Sequence, residues 1–504
     1  MLLVCAASAA LAQKSSPLPK KLPSADKIVA NYLKAIGGKK AASALKDATY
    51  EWIVQFNDQP FGAARTFRKA PSSERWEFTF GNGQVISASN SRSAWEIGLD
   101  GNLRTLTGSE SAAAKLRATL DSSRLIDFKK ANVLARVVSL GDLDSEPAFI
   151  VEFSTRGGAR FHYYFSVKTF LITKITGDVG NKRIVLDYYR PEHGIQEPHR
   201  VRMNVDGSGE LTLLLRSVRF NTGIDDGAFD PPPASEDLDV PALLREVSQN
   251  QDELENRVAE FAFKQTETDR QISDKGELKK EAVKVYEVFP LPNREPVKKL
   301  ISENGVPLSP ERAAKEDRRV QEEFAKAENN KEKDEQRAAR QRAKREEKRA
   351  EGEDPTSISA FLRACEFVSP RRELLSGRET IVFDFRPRPG FKPRNREESL
   401  IAKLVGVVWI DPVDKQVIRL EARLAEGFKM AGGLLVSLKP GAALVMEQTR
   451  MVQGVWLPRF AQINLSVKVL LFAGGDYNKT IEWSDYRHFT GDVKDYKLDA
   501  PAKP

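Results

Sequence analysis

The sequence predicts an α+β protein built from two tandem antiparallel sheets, each covered by helices, with a long charged helical insert in the second. Three observations carry this expectation. Apolar and polar residues alternate over short runs, Asn-Gly and Asp-Gly dipeptides separate several of those runs, and the order of elements repeats once along the chain. Alternation at period two places one face of a strand on a core. Asn-Gly and Asp-Gly favour two-residue hairpins, whose central residues both need positive φ. At roughly 150 residues per domain, 504 residues suggest two to four domains.

In chain order, residues 1–12 are an apolar run closing on Leu11-Ala12-Gln13, which reads as a signal peptide and places the protein in the periplasm. Residues 13–23 form a flexible leader. Ser24 stands at an N-cap before Ile28, Val29, Tyr32, Leu33 and Ile36, and Gly37-Gly38 ends that helix. Tyr50, Trp52, Val54 and Phe56 then share one strand face, and Trp76, Phe78 and Phe80 share another. Turns follow at Asn82-Gly83 and Asp100-Gly101, with Trp95, Ile97 and Leu99 between them. A helical patch spans Ser109 to Leu134, and strands resume from Ala148 to Phe220. Residues 24–230 form the first domain. Consecutive prolines stiffen residues 231–241 into a linker.

The second domain covers residues 242–500. It opens with a polar helix and strands at Ala259–Phe263 and Val283–Phe289. Between Ser309 and Asp354, 28 of 46 residues are charged, 14 basic and 14 acidic. Only Val320 and Phe324 meet at helical spacing there, so a single solvated helix without a place in the core is expected. Its second part, Arg337 to Arg349, is locally basic. Phe361, Leu362 and Cys365 suggest a short apolar helix, and strands follow from Thr380 to Phe489.

The repeat is specific in its details. Tyr189-Arg190, Gly194-Ile195, Pro198 and Arg200 lie over Thr449-Arg450, Gly454-Val455, Pro458 and Arg459. Phe149–Phe153 matches Thr380–Phe385, Phe165–Ile175 matches Trp409–Leu420, and Val218–Phe220 matches Tyr486–Phe489. The helical insert falls at the same point of each copy. In Leu186-Asp187-Tyr188-Tyr189-Arg190 with Gly194 and Pro198, and in Gly454, Pro458 and Ser484-Asp485-Tyr486-Arg487, the chain resembles the LolA-like superfamily of periplasmic lipoprotein carriers and outer-membrane lipoprotein-sorting proteins. The resemblance spans about 400 residues. It implies two incomplete β-barrels, or half-barrels, whose concave faces hold acyl chains beneath helices.

Composition narrows the chemistry. Charged residues make up 30% and apolar residues 40%, and no run of about 18 apolar residues predicts a spanning helix. A net charge of +8 over this length does not indicate nucleic acid. The histidines His162, His193, His199 and His488 lack metal-ligand spacing, and neither G-x-S-x-G nor a phosphate loop occurs, so no enzyme, metal or cofactor is expected. The candidate ligand surface is aromatic and apolar: Trp52, Val54, Phe56, Trp76, Phe78 and Phe80 in the first copy, and Phe261, Phe263, Phe383 and Phe385 in the second. The basic residues Arg371, Arg372, Arg386, Arg388, Arg394 and Arg396 are candidates for contact with lipid headgroups or an acidic partner. Two functions follow. One is an exported protein that carries or senses lipid acyl chains or lipoproteins, with an anionic membrane surface or an envelope protein as a further partner. The other is a protein-interaction or envelope-sensor module on the same fold with filled cavities.

Overall fold

The computed structural model describes residues 22–143, 146–179, 183–205, 209–233, 238–258, 260–273, 275–291, 294–350, 361, 363–430, 436–451, 454–468, 475–490 and 497–498. The signal peptide, residues 13–21 of the leader, linker residues 234–237 and insert residues 351–354 lie outside these.

The first half begins with helices α1 (Ala25–Ala35) and α2 (Lys39–Ala44). Ser24 caps α1 by accepting the Lys27 N–H, as its position predicts. Six strands follow: β1 (Asp47–Phe56), β2 (Gln59–Lys69), β3 (Ser73–Phe80), β4 (Gly83–Ser89), β5 (Ala94–Ile97) and β6 (Leu103–Thr105). Helix α3 (Gly108–Ser122) interrupts them. The half closes with β7 (Leu134–Leu143), β8 (Glu146–Ser154), β9 (Arg160–Ser166), β10 (Ile172–Gly177), β11 (Arg183–Glu192), β12 (Ile195–Val205) and β13 (Gly209–Phe220).

The second half has helix α4 (Val240–Val258), then β14 (Phe261–Ile272), β15 (Leu278–Phe289), β16 (Val297–Glu303) and β17 (Val306–Pro307). Helices α5 (Pro310–Asn329) and α6 (Lys331–Ala350) come next. After them run β18 (Cys365–Leu375), β19 (Arg378–Pro387), helix α7 (Arg396–Ile401), β20 (Leu404–Asp411) and β21 (Gln416–Leu424). The short β22 (Phe428–Met430) and β23 (Val436–Leu438) precede β24 (Ala443–Arg450), β25 (Trp456–Lys468), β26 (Gly475–Thr490) and β27 (Lys497–Leu498).

These strands form two large antiparallel sheets, both open. The first runs β6-β5-β4-β3-β2-β1-β13-β12-β11-β10-β9-β8-β7, and the second β17-β16-β15-β14-β26-β25-β24-β21-β20-β19-β18. In each, an early strand pairs with a late one, β1 with β13 and β14 with β26, and antiparallel neighbours extend both arms. Asn304-Gly305 joins β16 to β17 and His193-Gly194 joins β11 to β12, all with positive φ, whereas at the expected Asn82-Gly83 and Asp100-Gly101 turns only the glycines have positive φ. Gly37 ends α1 against that second turn, where a Cβ would stand 2.3 Å from the Gly194 carbonyl oxygen. Only glycine allows that approach.

Several expectations are corrected. Strand β2 carries Gly62, Ala63 and Ala64, too small to register as an apolar face. Strand β7 begins where a helix was expected to end. Cys365 opens strand β18 instead of ending a helix; its Pro-Arg-Arg-Glu sequence reads as polar because its buried side chains are charged. The insert is two helices divided at Asn330. Val320 and Phe324 of α5 are buried with Ala262, Phe289, Leu291 and Val297, so the insert does reach a core. The linker is pinned at its start, because the Trp95 indole donates to the Phe229 carbonyl at 3.0 Å and Asn90 donates to Asp230 at 2.8 Å. The two Asp-Tyr segments lie on non-corresponding strands, Asp187 on β11 and Asp485 on β26.

Candidate functional site

Register across three strands builds an aromatic surface in the first half. Tyr50, Trp52 and Val54 of β1 stand opposite Thr66, Ala64 and Gly62 of β2. Those in turn face Trp76, Phe78 and Phe80 of β3. The middle strand carries only small residues on this row, so rings from both sides come together over it. Trp52 stacks on Trp76 with centroids 6.5 Å apart, Trp76 on Phe78 at 5.7 Å, and Phe78 on Phe80 at 6.1 Å. The Trp52 indole N–H, which needs an acceptor once buried, donates to Thr66 Oγ1 at 2.9 Å. The ribbon continues through Phe61, 45% exposed, which lies 4.8 Å from Phe80 and 5.5 Å from Phe56.

Helix α3 covers one end of this surface. Its inner stripe, Ala113, Leu116 and Leu120, belongs to the main core of the half with Ile28, Val29, Phe153 and Phe165. The same stripe carries Arg117 and Asp121, and Arg124 follows just past the helix end. Between helix and sheet lies a cavity of about 80 Å³, lined by Trp52 and Trp76 on one side and by Arg68, Arg117, Asp121, Arg124 and Glu197 on the other. Asp121 organises the polar side: it accepts from Tyr163 at 3.0 Å, from Arg117 at 3.2 Å and from Arg68 at 3.4 Å. Arg124 donates to Glu197 at 3.2 Å and to the Tyr50 hydroxyl at 3.1 Å. Burial, with Glu197 nearby, pushes the Tyr50 phenol up to about 12, so it remains a neutral donor. Burial alone would lower the Arg68 guanidinium, but Glu74 and Asp121 reverse that and hold it charged.

Sequence reasoning found the aromatic side of this cavity and missed the polar side. A signal existed: Arg117, Asp121 and Arg124 recur at helical spacing on the face that Leu116 and Leu120 bury. Charged residues inside an apolar stripe point to an internal polar site.

The remaining candidates are placed differently. Val54 is fully buried beneath the ribbon, and Phe56 is half-buried at its far end. In the second half Phe383 packs under Leu243, Leu244 and Val247 of α4, and Phe385 packs with Cys365 and Ala422. Phe261 is buried with Leu457 and Tyr486, and Phe263 borders a space of only about 20 Å³. These four do not converge on one cavity, because α4 and the edge segments already fill the face.

Arg371 is no part of a basic rim; at 1% exposure it lies between the halves. It donates to Glu373 at 2.8 Å, to Asp384 at 3.0 Å and to Thr105 of the first half at 2.8 Å. Thr105 also donates to Glu373, through its N–H at 2.6 Å, and Ser93 donates to Asp384 at 2.6 Å. Glu421 accepts the Gly108 N–H at 2.9 Å, and Arg423 donates to the Ser91 carbonyl. Thus the start of α3 is capped by a carboxylate of the other half, since Thr107 makes no side-chain cap. Arg372 and Arg386 are surface residues paired with Glu379 and Glu366, and Arg388 donates to the Arg363 and Cys365 carbonyls. Arg394 and Arg396 are exposed.

No family model matches the sequence, and no curated protein matches it. Solved structures similar to the chain include LolA-like ones. A LolA superfamily protein from Nitrosomonas europaea is 13% identical, aligned over 42% of this chain and 99% of that one, with a TM-score of 0.30. A DUF1329 family protein from Desulfovibrio piger is also 13% identical, over 41% and 96%, with a TM-score of 0.28. MucB in complex with MucA(peri) is 8% identical over 91% of this chain and 93% of that one, with a TM-score of 0.15.

Proposed function

We propose that the chain is a non-enzymatic binding protein of the periplasm, a duplicated fold of residues 24–230 and 242–500 in which the first half receives an acylated ligand. The observation that carries this reading is the aromatic ribbon leading from the surface at Phe61 to the cavity under α3. Burial of an acyl chain there contributes about 0.8 kcal/mol per methylene. At about 80 Å³ the cavity is smaller than the ~150 Å³ that admits a benzene ring, so it takes only one end of such a ligand and the ribbon carries the rest of a chain of a dozen carbons. The second half, with its face filled by α4, supports the first and offers its charged helices to an envelope partner.

Extraction of the purified protein followed by mass spectrometry tests this directly. A co-purifying acyl species, displaced by a dodecanoyl probe that shifts tryptophan emission, is the expected result. No extracted lipid and no response to the probe would leave the protein-interaction reading, in which the same ribbon packs against a polypeptide.

A further inference from the structure

The polar side of the first-half cavity has more hydrogen-bond donors than the protein satisfies. A guanidinium carries five N–H groups. Among the described residues, Arg117 uses one of them, on Asp121. Arg68 uses two, on Glu74 and Asp121, and Arg124 offers only Nη2, shared by Tyr50 and Glu197. The Tyr32 hydroxyl, on the same lining, has no partner among the described residues. Three arginines line the space with the carboxylates Asp121 and Glu197, and Glu74 beside it pairs with Arg68 at 3.0 Å, so the surplus is one of donors and not of charge. These free N–H groups face the cavity instead of being sealed in the protein, so an acceptor that enters the space can reach them. Water satisfies some of them. An oxyanion satisfies them with charge-assisted bonds, and guanidinium forks match the oxygen spacing of phosphate and carboxylate.

Size narrows the ligand further. The enclosed volume suits a group of a few heavy atoms, and the stacked ribbon from Trp76 to Phe61 is the apolar path out of it. We infer that the cavity is a headgroup subsite for an anionic, single-chain amphiphile: a phosphate or carboxylate head meets Arg117, Arg124 and Arg68, and its tail lies on Trp76, Phe78 and Phe80. The inference rests on the acyl-binding reading above and specifies its ligand.

Titration calorimetry below the micelle concentration tests it with three probes: dodecyl phosphate, uncharged monododecanoylglycerol and inorganic phosphate. Dodecyl phosphate is expected to bind at least about tenfold more tightly than the uncharged probe, and Arg117→Gln to bring that ratio toward one. Should Arg117→Gln unfold, Arg117→Gln with Asp121→Asn removes the pair together and reads out the same ratio. Equal affinity for both dodecyl probes overturns the anionic subsite and leaves the acyl-binding reading standing. Failure of both overturns that reading as well. Inorganic phosphate binding as tightly as dodecyl phosphate supports the anion site and overturns the tail contact.

Discussion

Replacing Arg371 by Met isolates the contribution of the buried contact between the halves. Methionine keeps the apolar stem and removes the guanidinium, which leaves two carboxylates without their main counter-charge. Glu373 retains the Thr105 N–H and hydroxyl, at 2.6 and 2.5 Å. Asp384, with no exposed surface, retains the Ser93 hydroxyl and an Arg92 nitrogen at 3.5 Å. Removing one partner of a buried pair costs about 3–5 kcal/mol, and two stranded acids argue for about 4. With a urea slope of about 2 kcal/mol/M, the unfolding midpoint falls by about 2 M. Urea titrations read by tryptophan emission and by circular dichroism measure it. Arg371→Met with Glu373→Gln removes one stranded charge and recovers about half the loss, a non-additive response characteristic of contacting groups. A loss below about 1 kcal/mol for the single variant refutes the claim that this arginine holds the halves together.

Two further outcomes follow from the packing and the charges. Phe324→Ala cuts into the cluster of Phe289, Leu291 and Val297, costs about 3–5 kcal/mol and exposes α5 to protease, whereas removal of residues 335–350, which spares the Asp334–Arg294 ion pair, lowers the urea midpoint far less. Burial lowers the Lys115 ammonium from 10.5 to about 8; Glu421 and Asp384 oppose that fall and Arg423 adds to it. Its charge therefore costs stability below pH 8, and the cost fades as pH rises from 8 to 10.5. Lys115→Met is expected to raise the urea midpoint at pH 7 and to give no gain above about pH 10.5; an equal gain at both refutes the assignment.

The parts of the molecule legible in the sequence are those where one physical signal dominates. Alternation located β1 and β3, and Asn304-Gly305 and Asp100-Gly101 located their turns, because local chemistry alone decides both. Strand β18 was hidden because Arg371 and Glu373 point inward, and their burial makes sense only once Thr105, some 270 positions away, supplies the partner. Strand β2 was hidden because its task is to be small: Ala64 and Gly62 leave room for rings from both neighbours. The candidate site divides along the same line. Its aromatic side follows period two within single strands, whereas its polar side joins Arg68 of β2, Arg117 and Arg124 of α3 and its end, and Glu197 of β12, three segments far apart in sequence.

Helix α3 belongs to both halves at once: its inner face closes the first-half cavity, while Gly108 at its start is held by Glu421. A ligand that displaces the helix must weaken that hold, and a partner that pulls the second half away must loosen the cavity. Thermodynamic linkage makes these two effects equal in free energy. A typical coupling of about 1–3 kcal/mol would change affinity at either place by about 5- to 150-fold. The helix is thus positioned to let occupancy of one half be read at the surface of the other, without any residue touching both ligands.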